Sequence, residues 1–204
     1  GAIVSMISFV TTSVLIYKFL EKMEIGIFGR LVAVLIFAAN INILYLQSTA
    51  MTELLLLAVT TAGVYELLLW HKSGQVLNLI KSAFWIMLAT LIRYDGWFLF
   101  AVAFCLILFH SIRKFNFKAA EGALIPFIML GGFGIGLWLV WNQMIFNDAF
   151  YFALGSYSAH EQQVLIESAG ALITKNNFWL SGSAYLQAVI ANTGLFVAVS
   201  ATVG

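Results

Sequence analysis

Charged side chains and cysteine are both scarce in this sequence. Lys, Arg, Asp and Glu together make up 9% of the 204 residues, and the formal net charge is only +1. This near-neutral balance argues against a nucleic-acid partner, which would call for a basic surface. The single cysteine, Cys105, lies in an apolar stretch, so neither a disulfide framework nor a cysteine metal site can form within the chain.

Apolar residues are abundant. Hydrophobic residues account for 62% of the chain, and the mean hydropathy is +0.98. A soluble domain could not keep such a surface hydrated. Because about 20 apolar residues in a helix cross the hydrocarbon core of a bilayer, long uninterrupted runs predict an all-α integral membrane protein.

Seven apolar runs predict about seven transmembrane helices in one transmembrane domain, residues 1–204. The runs are Ala2–Leu20, Leu31–Leu46, Leu54–Trp70, Leu77–Ile92, Trp97–Ile112, Gly122–Trp141 and Tyr185–Val203. The first run lacks a cationic stretch before it, so we interpret it as a span and not a signal peptide. Because the chain starts at Gly1 and stops within an apolar run, we expect a fragment of a larger membrane domain.

Basic residues recur in alternate connections, which predicts that those connections face the cytoplasm. They are Lys18, Lys22, Arg30, Lys72, Lys81, Arg113, Lys114 and Lys118. The remaining connections are predicted to lie on the extracytoplasmic face of the plasma membrane, and they carry Glu53, Arg93, Asp95, Asp148, Glu161, Glu167 and Lys175. Arg93 and Lys175 are the two cations that break this pattern.

Glu53 opens the apolar run at the outer surface. Thr52 before it can cap the helix, and a first-turn acid is favoured by the helix dipole, so a structural role is one interpretation. The other is a carboxylate that faces a cavity as a metal ligand or as a hydrogen-bond acceptor for a polar substrate. Glu53 alone does not separate the two.

Arg93 lies in the segment LIRYDGW, at an outer edge that the orientation rule normally keeps free of cations. It could pair with Asp95 or reach lipid phosphates, and surface pairs of that kind are weak. It could instead clamp a substrate phosphate, because a guanidinium matches phosphate oxygens bidentately. Gly96 would allow close backbone approach as the chain turns into the next helix. We favour the clamp.

One long outer loop, residues 142–183, mixes aromatic rings with polar side chains. Its candidate substrate-binding residues are Asn142, Asp148, Tyr157, His160 and Gln163, a combination suited to binding a sugar or head group. Aromatic residues are also ordinary at a membrane interface. His160 beside Glu161 could act as acid, base or metal ligand, although a lone histidine is more often a polar loop residue.

Three further features predict packing or interfacial roles. Gly132 and Gly136 in GGFGIG have the small-residue spacing of tight helix packing, and no strand precedes them as a nucleotide loop would require. Asn40 and Asn42 fall inside the second run and predict hydrogen bonds between helices. His71 and His110 lie at predicted cytoplasmic helix ends and are interpreted as interfacial.

The order of four segments resembles the membrane region of GT-C fold glycosyltransferases, in the protein O-mannosyltransferase-like and aminoarabinose-transferase-like group. The segments are EKMEIGIFGR, YLQSTAMTELLL, LIRYDGWFL and WNQMIFNDAFYFALGSYSAHEQQ. The last is the most specific, although Asn147 and Ala149 stand where that group usually has Gly and Pro. The resemblance covers nearly the whole chain.

The resemblance implies an enzyme that moves a sugar from a polyprenyl-phosphate donor to a protein, lipid or glycan acceptor outside the cytoplasm. It places the catalytic aspartate in an outer loop ahead of a segment like Ala2–Leu20. Glu53 would correspond to the acidic residue of the second outer loop, and Arg93 to a basic residue near the donor phosphate. The cofactor stays open, with a divalent cation as the candidate, and membrane lipids are expected partners.

Two other classes stay in view: a transporter or lipid flippase, and a non-catalytic assembly subunit. A secondary transporter should show inverted repeats or polar groups at mid-membrane. The sequence has no internal repeat, and its charged residues lie at predicted helix ends, with Glu66 near the cytoplasmic side. This placement favours chemistry at the membrane surface, although likeness of fold does not establish activity.

Overall fold

The computed structural model describes residues 1–114, 117–156, 158–170, 174 and 176–203. Within these residues the regular secondary structure is entirely helical. The helices are α1 (Ala2–Lys22), α2 (Ile27–Ala38), α3 (Ile41–Ser48), α4 (Glu53–Ser73), α5 (Val76–Ile92), α6 (Asp95–Lys114), α7 (Phe117–Gly131), α8 (Phe133–Phe146), α9 (Tyr151–Leu154), α10 (Ala159–Ser168), α11 (Phe178–Thr193) and α12 (Leu195–Val203). The predicted all-α class is therefore confirmed for the described part of the chain.

Each of the seven apolar runs lies on a helix or a pair of helices, but fewer than seven qualify as spans. Four are long and apolar enough to cross a membrane: α1, α4, α6 and the segment Ala120–Phe146. The pairs α2–α3 and α11–α12 bend by 61° and 110°, so the count rises to six only if each bent pair is one span. Helix α5 has 17 residues and is about 25 Å long, short of the roughly 30 Å hydrocarbon core.

The break between α2 and α3 gives Asn40 a role that the sequence analysis did not predict. Its side chain accepts hydrogen bonds from the backbone N–H groups of Asn42 and Ile43, at 2.9 and 3.3 Å. Asn40 is thus the N-cap of α3 and not a polar residue inside one continuous helix. Asparagine is among the best N-cap residues because its oxygen satisfies the free N–H groups of the first turn.

The described chain divides into two units, residues 1–138 and 139–204. In the first unit α4 packs against α1 and α5, and α5 and α6 both pack against α7. Its core joins Trp70, Leu79, Ile86, Ile107 and Phe127. Helices α1 and α4 run in the same direction, as two hydrogen bonds show. Near the starts of both helices Ser5 donates to the carbonyl oxygen of Thr49, and near their ends the Lys72 ammonium donates to the carbonyl oxygen of Lys22.

The glycine-rich segment packs tightly, as the sequence predicted, through Gly131, Gly132 and Gly134 but not through Gly136. A Cβ at Gly134 would overlap the Thr90 hydroxyl of α5, and one at Gly131 would come within 3.2 Å of the Phe100 ring of α6. Gly136 has open space around it. The assignment of Gly136 to the contact was therefore wrong, because the helix turns that residue away from α5 and α6.

Large apolar side chains cover the outside of the first unit. Phe28, Phe98 and Met129 are 78%, 75% and 70% exposed, respectively. Such a surface is unfavourable in water and suits contact with lipid chains, which are as apolar as the side chains. Together with the four long apolar helices, it shows a membrane-embedded helical protein.

In the second unit the predicted loop at residues 142–183 is shorter than expected. Helix α8 continues to Phe146 and α11 begins at Phe178, so Asn142 lies on a helix and not in a loop. Between them lie the short helices α9 and α10. The predicted loop boundaries were wrong because the polar residues Asn142 and Gln143 fit within a helix whose flanking residues are apolar.

Candidate functional site

Glu53, Arg93 and Asp95 form an ionic cluster in the first unit. Arg93 donates from Nη1 to Glu53 Oε1 at 2.9 Å and from Nε to Asp95 Oδ2 at 2.9 Å. The three side chains are partly exposed, at 42%, 42% and 68% for Arg93, Glu53 and Asp95. The structure thus brings together three residues that the alternation of basic and acidic connections had predicted to share one side of the membrane.

Helix ends position all three members of the ionic cluster. Glu53 is the first residue of α4, Arg93 follows the last residue of α5, and Asp95 begins α6. Carboxylates at the first residues of helices are favoured by the positive end of the dipole. Arg93 has extended backbone, which ends α5 and carries its side chain towards α4.

Gly96 keeps the turn between α5 and α6 tight, as its place in the sequence predicted. A Cβ at this position would overlap the backbone of Ala89 and Thr90 in α5. Trp97 reinforces the turn, since its indole Nε1 donates to the Thr90 carbonyl oxygen at 3.2 Å. The close approach of the two helices sets the position of Arg93 relative to Asp95.

Tyr94 lies between the two charged residues of this turn, and its ring contacts Trp97 with centroids 5.6 Å apart. Partial burial raises the pKa of Tyr94 above its ordinary value. The phenol therefore keeps its proton at neutral pH and is a hydrogen-bond donor beside the ionic cluster.

The ionic cluster has one positive and two negative groups, a net charge of −1. A guanidinium has five N–H donors, and the two described bonds leave others free to meet a further acceptor. Glu53 Oε2 and Asp95 Oδ1 accept no hydrogen bond within the described residues. The cluster therefore still offers N–H donors from Arg93 and acceptor oxygens from Glu53 and Asp95 to a polar group.

A groove between α4 and α6 leads away from the ionic cluster. Glu53 and Asp95 line one end, and Leu56, Leu57, Thr60, Phe98, Leu99 and Val102 line the rest. Its volume is about 370 Å³. We call it the α4–α6 groove. Its polarity matches a ligand with a polar head and an apolar chain.

Thr52 stands at the N-cap of α4, but its side chain makes no capping hydrogen bond. Its backbone is helical, with φ −85° and ψ −12°, whereas a capping side chain usually requires an extended N-cap residue. The prediction that Thr52 caps this helix was wrong. The acid in the first turn, Glu53, is bound to Arg93 and so serves the ionic cluster.

The predicted site residues of the second unit have separate local roles. Asp148 Oδ1 accepts from the backbone N–H of Phe150 at 2.9 Å, which closes a turn after α8. His160 Nδ1 lies 3.9 Å from Glu161 Oε1, and the His160 side chain is 64% exposed. Asn142 is buried, with only 2% of its surface exposed. Tyr157, like Lys175, lies outside the described residues.

Gln163 lines a polar cavity of about 470 Å³ in the second unit. Sequence reasoning missed its other polar residues, which are Thr174, Asn176, Ser181 and Tyr185. Ser181 Oγ donates to the Thr174 carbonyl oxygen at 3.0 Å, so part of this wall is already hydrogen-bonded. The signal available in the sequence was the cluster of polar residues just before the last apolar run.

Glu66 lies nearer to the end of α4 than to its start, and the sequence did not predict that its carboxylate would be buried. It lies on α4 seven residues before Ser73, which is about 10 Å inside the helix end. Its Oε2 is buried and has no hydrogen-bond partner among the residues that the structure describes. With Lys18, Ser8 and Tyr65 it lines a cavity of about 400 Å³ between α1, α4 and α5.

No group of three His, Cys, Asp or Glu side chains able to hold a metal ion occurs within the described ranges. Glu53 and Asp95 are two carboxylates of the kind that divalent cations prefer, but both already bind Arg93. The cluster does not fit a metal site as it is built.

Comparison with known proteins gives no match: no family model, no curated protein and no solved structure matches the chain.

Proposed function

We propose that the protein is a membrane glycosyltransferase that uses a polyprenyl-phosphate sugar donor at the extracytoplasmic face. The observation that carries the proposal is the α4–α6 groove, which joins an apolar wall to the ionic cluster. A polyprenyl-linked sugar has the same polarity, with a long apolar chain, a phosphate and a hydroxyl-rich head. The resemblance of the four quoted segments supports the same class.

Arg93 and the two carboxylates divide the donor head between them in this proposal. The remaining N–H groups of Arg93 meet phosphate oxygens, while Glu53 Oε2 and Asp95 Oδ1 accept from sugar hydroxyls. Because both carboxylates hold the guanidinium, its orientation is fixed before the donor arrives. A preorganised cation stabilises charge that develops on a leaving phosphate without reorganisation during the reaction.

Local backbone at Asn147 also agrees with the resemblance. The related group usually has Gly at this point, and Asn147 adopts φ 58°, in the left-handed region that Gly and Asn tolerate best. The adjoining Asp148 turn keeps the chain compact after α8. The departure from Gly to Asn is therefore compatible with the backbone that the segment requires.

Binding of a polyprenyl-phosphate sugar to the purified protein tests the head-group assignment. Arg93→Ala should weaken binding by at least about tenfold, because charge-assisted hydrogen bonds to phosphate are lost. Arg30→Ala is the matched control, since Arg30 also pairs with a carboxylate, Glu21, at 2.9 Å but lies away from the groove. Unchanged donor binding in Arg93→Ala would rule out the clamp.

The chain-binding half of the groove needs its own variant. Val102→Trp adds bulk to the groove wall, where the side chain is 39% exposed, and should weaken binding while leaving the ionic cluster intact. Val10→Trp on α1, at a position that is 59% exposed, is the control for a large residue facing lipid. Equal binding by the two variants would show that the donor chain lies elsewhere.

The proposed sidedness can be tested with an impermeant thiol reagent in intact cells. In a Cys105→Ser background, a cysteine at Ser168 should be labelled, whereas one at Lys114 should react only after the cells are opened. The expectation rests on the basic residues at the ends of α4 and α6. If Lys114→Cys were labelled in intact cells and Ser168→Cys were not, the orientation would be the reverse of the one proposed, and the donor site would not lie at the extracytoplasmic face.

A transporter is the second candidate, and the cavity at Glu66 favours it. An ionisable residue within a membrane span is a default functional candidate because it is costly to keep there. If this cavity carries a substrate or proton, Glu66→Gln should abolish transport in proteoliposomes while donor-sugar binding stays normal. Donor binding by the native protein without any transport in proteoliposomes would remove the transporter and leave the glycosyltransferase as the candidate.

A further inference from the structure

A further cavity in the first unit lies at the ends of α4 and α6 that are opposite the ionic cluster. Helices α1, α4 and α6 enclose about 680 Å³ there, within the usual range for ligand cavities. Phe19, Leu68 and Leu106 supply apolar walls from the three helices. We call it the basic cavity, after the four side chains His71, His110, Arg113 and Lys114 that also line it.

The charged residues of the basic cavity are all of one sign. Arg113 and Lys114 are exposed at the end of α6, and no Asp or Glu is among the described residues that line the cavity. The Arg113 guanidinium lies over the Phe109 ring, 5.6 Å from its centroid, which holds the cation against the apolar wall. This contrasts with Arg93, which has two carboxylate partners.

The two histidines form a contact pair at the same place. Their ring centroids are 4.1 Å apart, and the His110 and Trp70 rings form a T-shaped pair with centroids 5.2 Å apart. A neutral imidazole still has one N–H donor, so both rings can donate to an oxyanion. A metal usually needs at least three protein ligands, and the described residues offer no group of three here.

We propose that the basic cavity binds one anionic phospholipid, with its phosphate between the histidine pair and Arg113 and its chains against Phe19, Leu68 and Leu106. Charge complementarity selects an anion. The apolar walls select a lipid over free phosphate, because a free ion would leave them in contact with water. Basic pockets between transmembrane helices are a known setting for lipid phosphates.

Competition between lipids on the purified protein tests the proposal. Delipidated protein is offered equal amounts of phosphatidylglycerol and phosphatidylcholine with the same chains, and the retained lipid is measured by native mass spectrometry. The native protein should retain phosphatidylglycerol preferentially, and the double variant His110→Gln, Arg113→Gln should lower that preference by at least about tenfold. Lys72→Gln is the control, because Lys72 is next to His71 but does not line the cavity.

A second variant separates a lipid from a free anion. Leu106→Trp fills the apolar wall at a position that is 56% exposed, so the fold should tolerate it while retention of phosphatidylglycerol falls. An equal loss of preference in Lys72→Gln would show a diffuse charge effect and overturn the site. Displacement of the lipid by millimolar inorganic phosphate, or retention that requires added Zn²⁺, would also overturn it.

Discussion

Helices α4 and α6 carry charge differently at their two ends. At the start of both helices, Glu53 and Asp95 share one guanidinium, so each charge lies within 2.9 Å of an opposite one. At the other end, His71, His110, Arg113 and Lys114 line a cavity to which no described residue contributes a carboxylate. The helix dipoles favour both arrangements, with acids near N-termini and cations near C-termini.

The comparison distinguishes two uses of charge at a membrane surface. The ionic cluster is held together by its own opposite charges, so its geometry is defined without a ligand. A ligand must either replace one of these hydrogen bonds or bind to the donors and acceptors that remain. No described residue that lines the basic cavity is acidic, and an external anion is the counter-charge that we propose for Arg113 there. We therefore expect the planar fork of Arg93 to decide binding at the ionic cluster, and positive charge together with the apolar walls to decide it at the basic cavity.

The largest expected effect comes from breaking the turn that builds the ionic cluster. Gly96→Ala places a Cβ against the backbone of Ala89 and Thr90, which cannot move as a side chain could. We expect destabilisation of about 3 kcal/mol, at the upper end for overpacking, together with loss of the Arg93 contacts. Thermal unfolding in detergent measures the first effect.

Gly136→Ala is the matched control for this prediction, because no atom lies within 4 Å of the added Cβ and the residue is also helical. Its unfolding midpoint should match that of the native protein or exceed it slightly, since Ala is the better helix former. A native midpoint for Gly96→Ala would mean that α5 and α6 are not in close contact at this turn.

The next largest effect separates geometry from charge. Arg93→Lys keeps the charge but cannot reach two carboxylates from one planar fork, so donor binding should fall by about tenfold. Arg113→Lys should leave the preference for phosphatidylglycerol within about twofold, because an ammonium is also an adequate charge for phosphate. If Arg93→Lys binds the donor as tightly as the native protein does, the geometry of the guanidinium is not what the ionic cluster requires.

Sequence reasoning predicted the helices and the shared side of the ionic cluster because both follow from one-dimensional patterns. Apolar runs mark helices, and alternation of connections groups Glu53, Arg93 and Asp95. The bends at Asn40 and Gly194 were missed because the sequence stays apolar on both sides of each residue. Asn40 caps the start of α3, and Gly194 ends α11 with a φ of 84°. The histidine pair and the cavity at Gln163 were missed because they depend on helix rotation and packing.

Glu66 offers a smaller test, because it belongs neither to the ionic cluster nor to the basic cavity. Its Oε2 is buried with no hydrogen-bond partner among the described residues, so Glu66→Leu should raise the free energy of unfolding by about 1 kcal/mol, as removal of an unsatisfied buried polar group does. Thermal unfolding checks this, with Glu24→Leu at an exposed position as the control. A lower midpoint for Glu66→Leu would show that the carboxylate has a stabilising partner in the membrane.

The smallest expected effect concerns Thr52, which adjoins the ionic cluster. Because its hydroxyl makes no capping bond, Thr52→Ala should change the free energy of unfolding by less than about 0.5 kcal/mol, the usual range for a surface substitution. Asn40→Ala removes two described capping contacts and should cost about 1 kcal/mol. Unfolding midpoints of the two variants, measured side by side, compare an N-cap that is used with one that is not. A larger loss at Thr52 than at Asn40 would mean that its hydroxyl caps α4 in the membrane, and that Glu53 is then held by the cap as well as by Arg93.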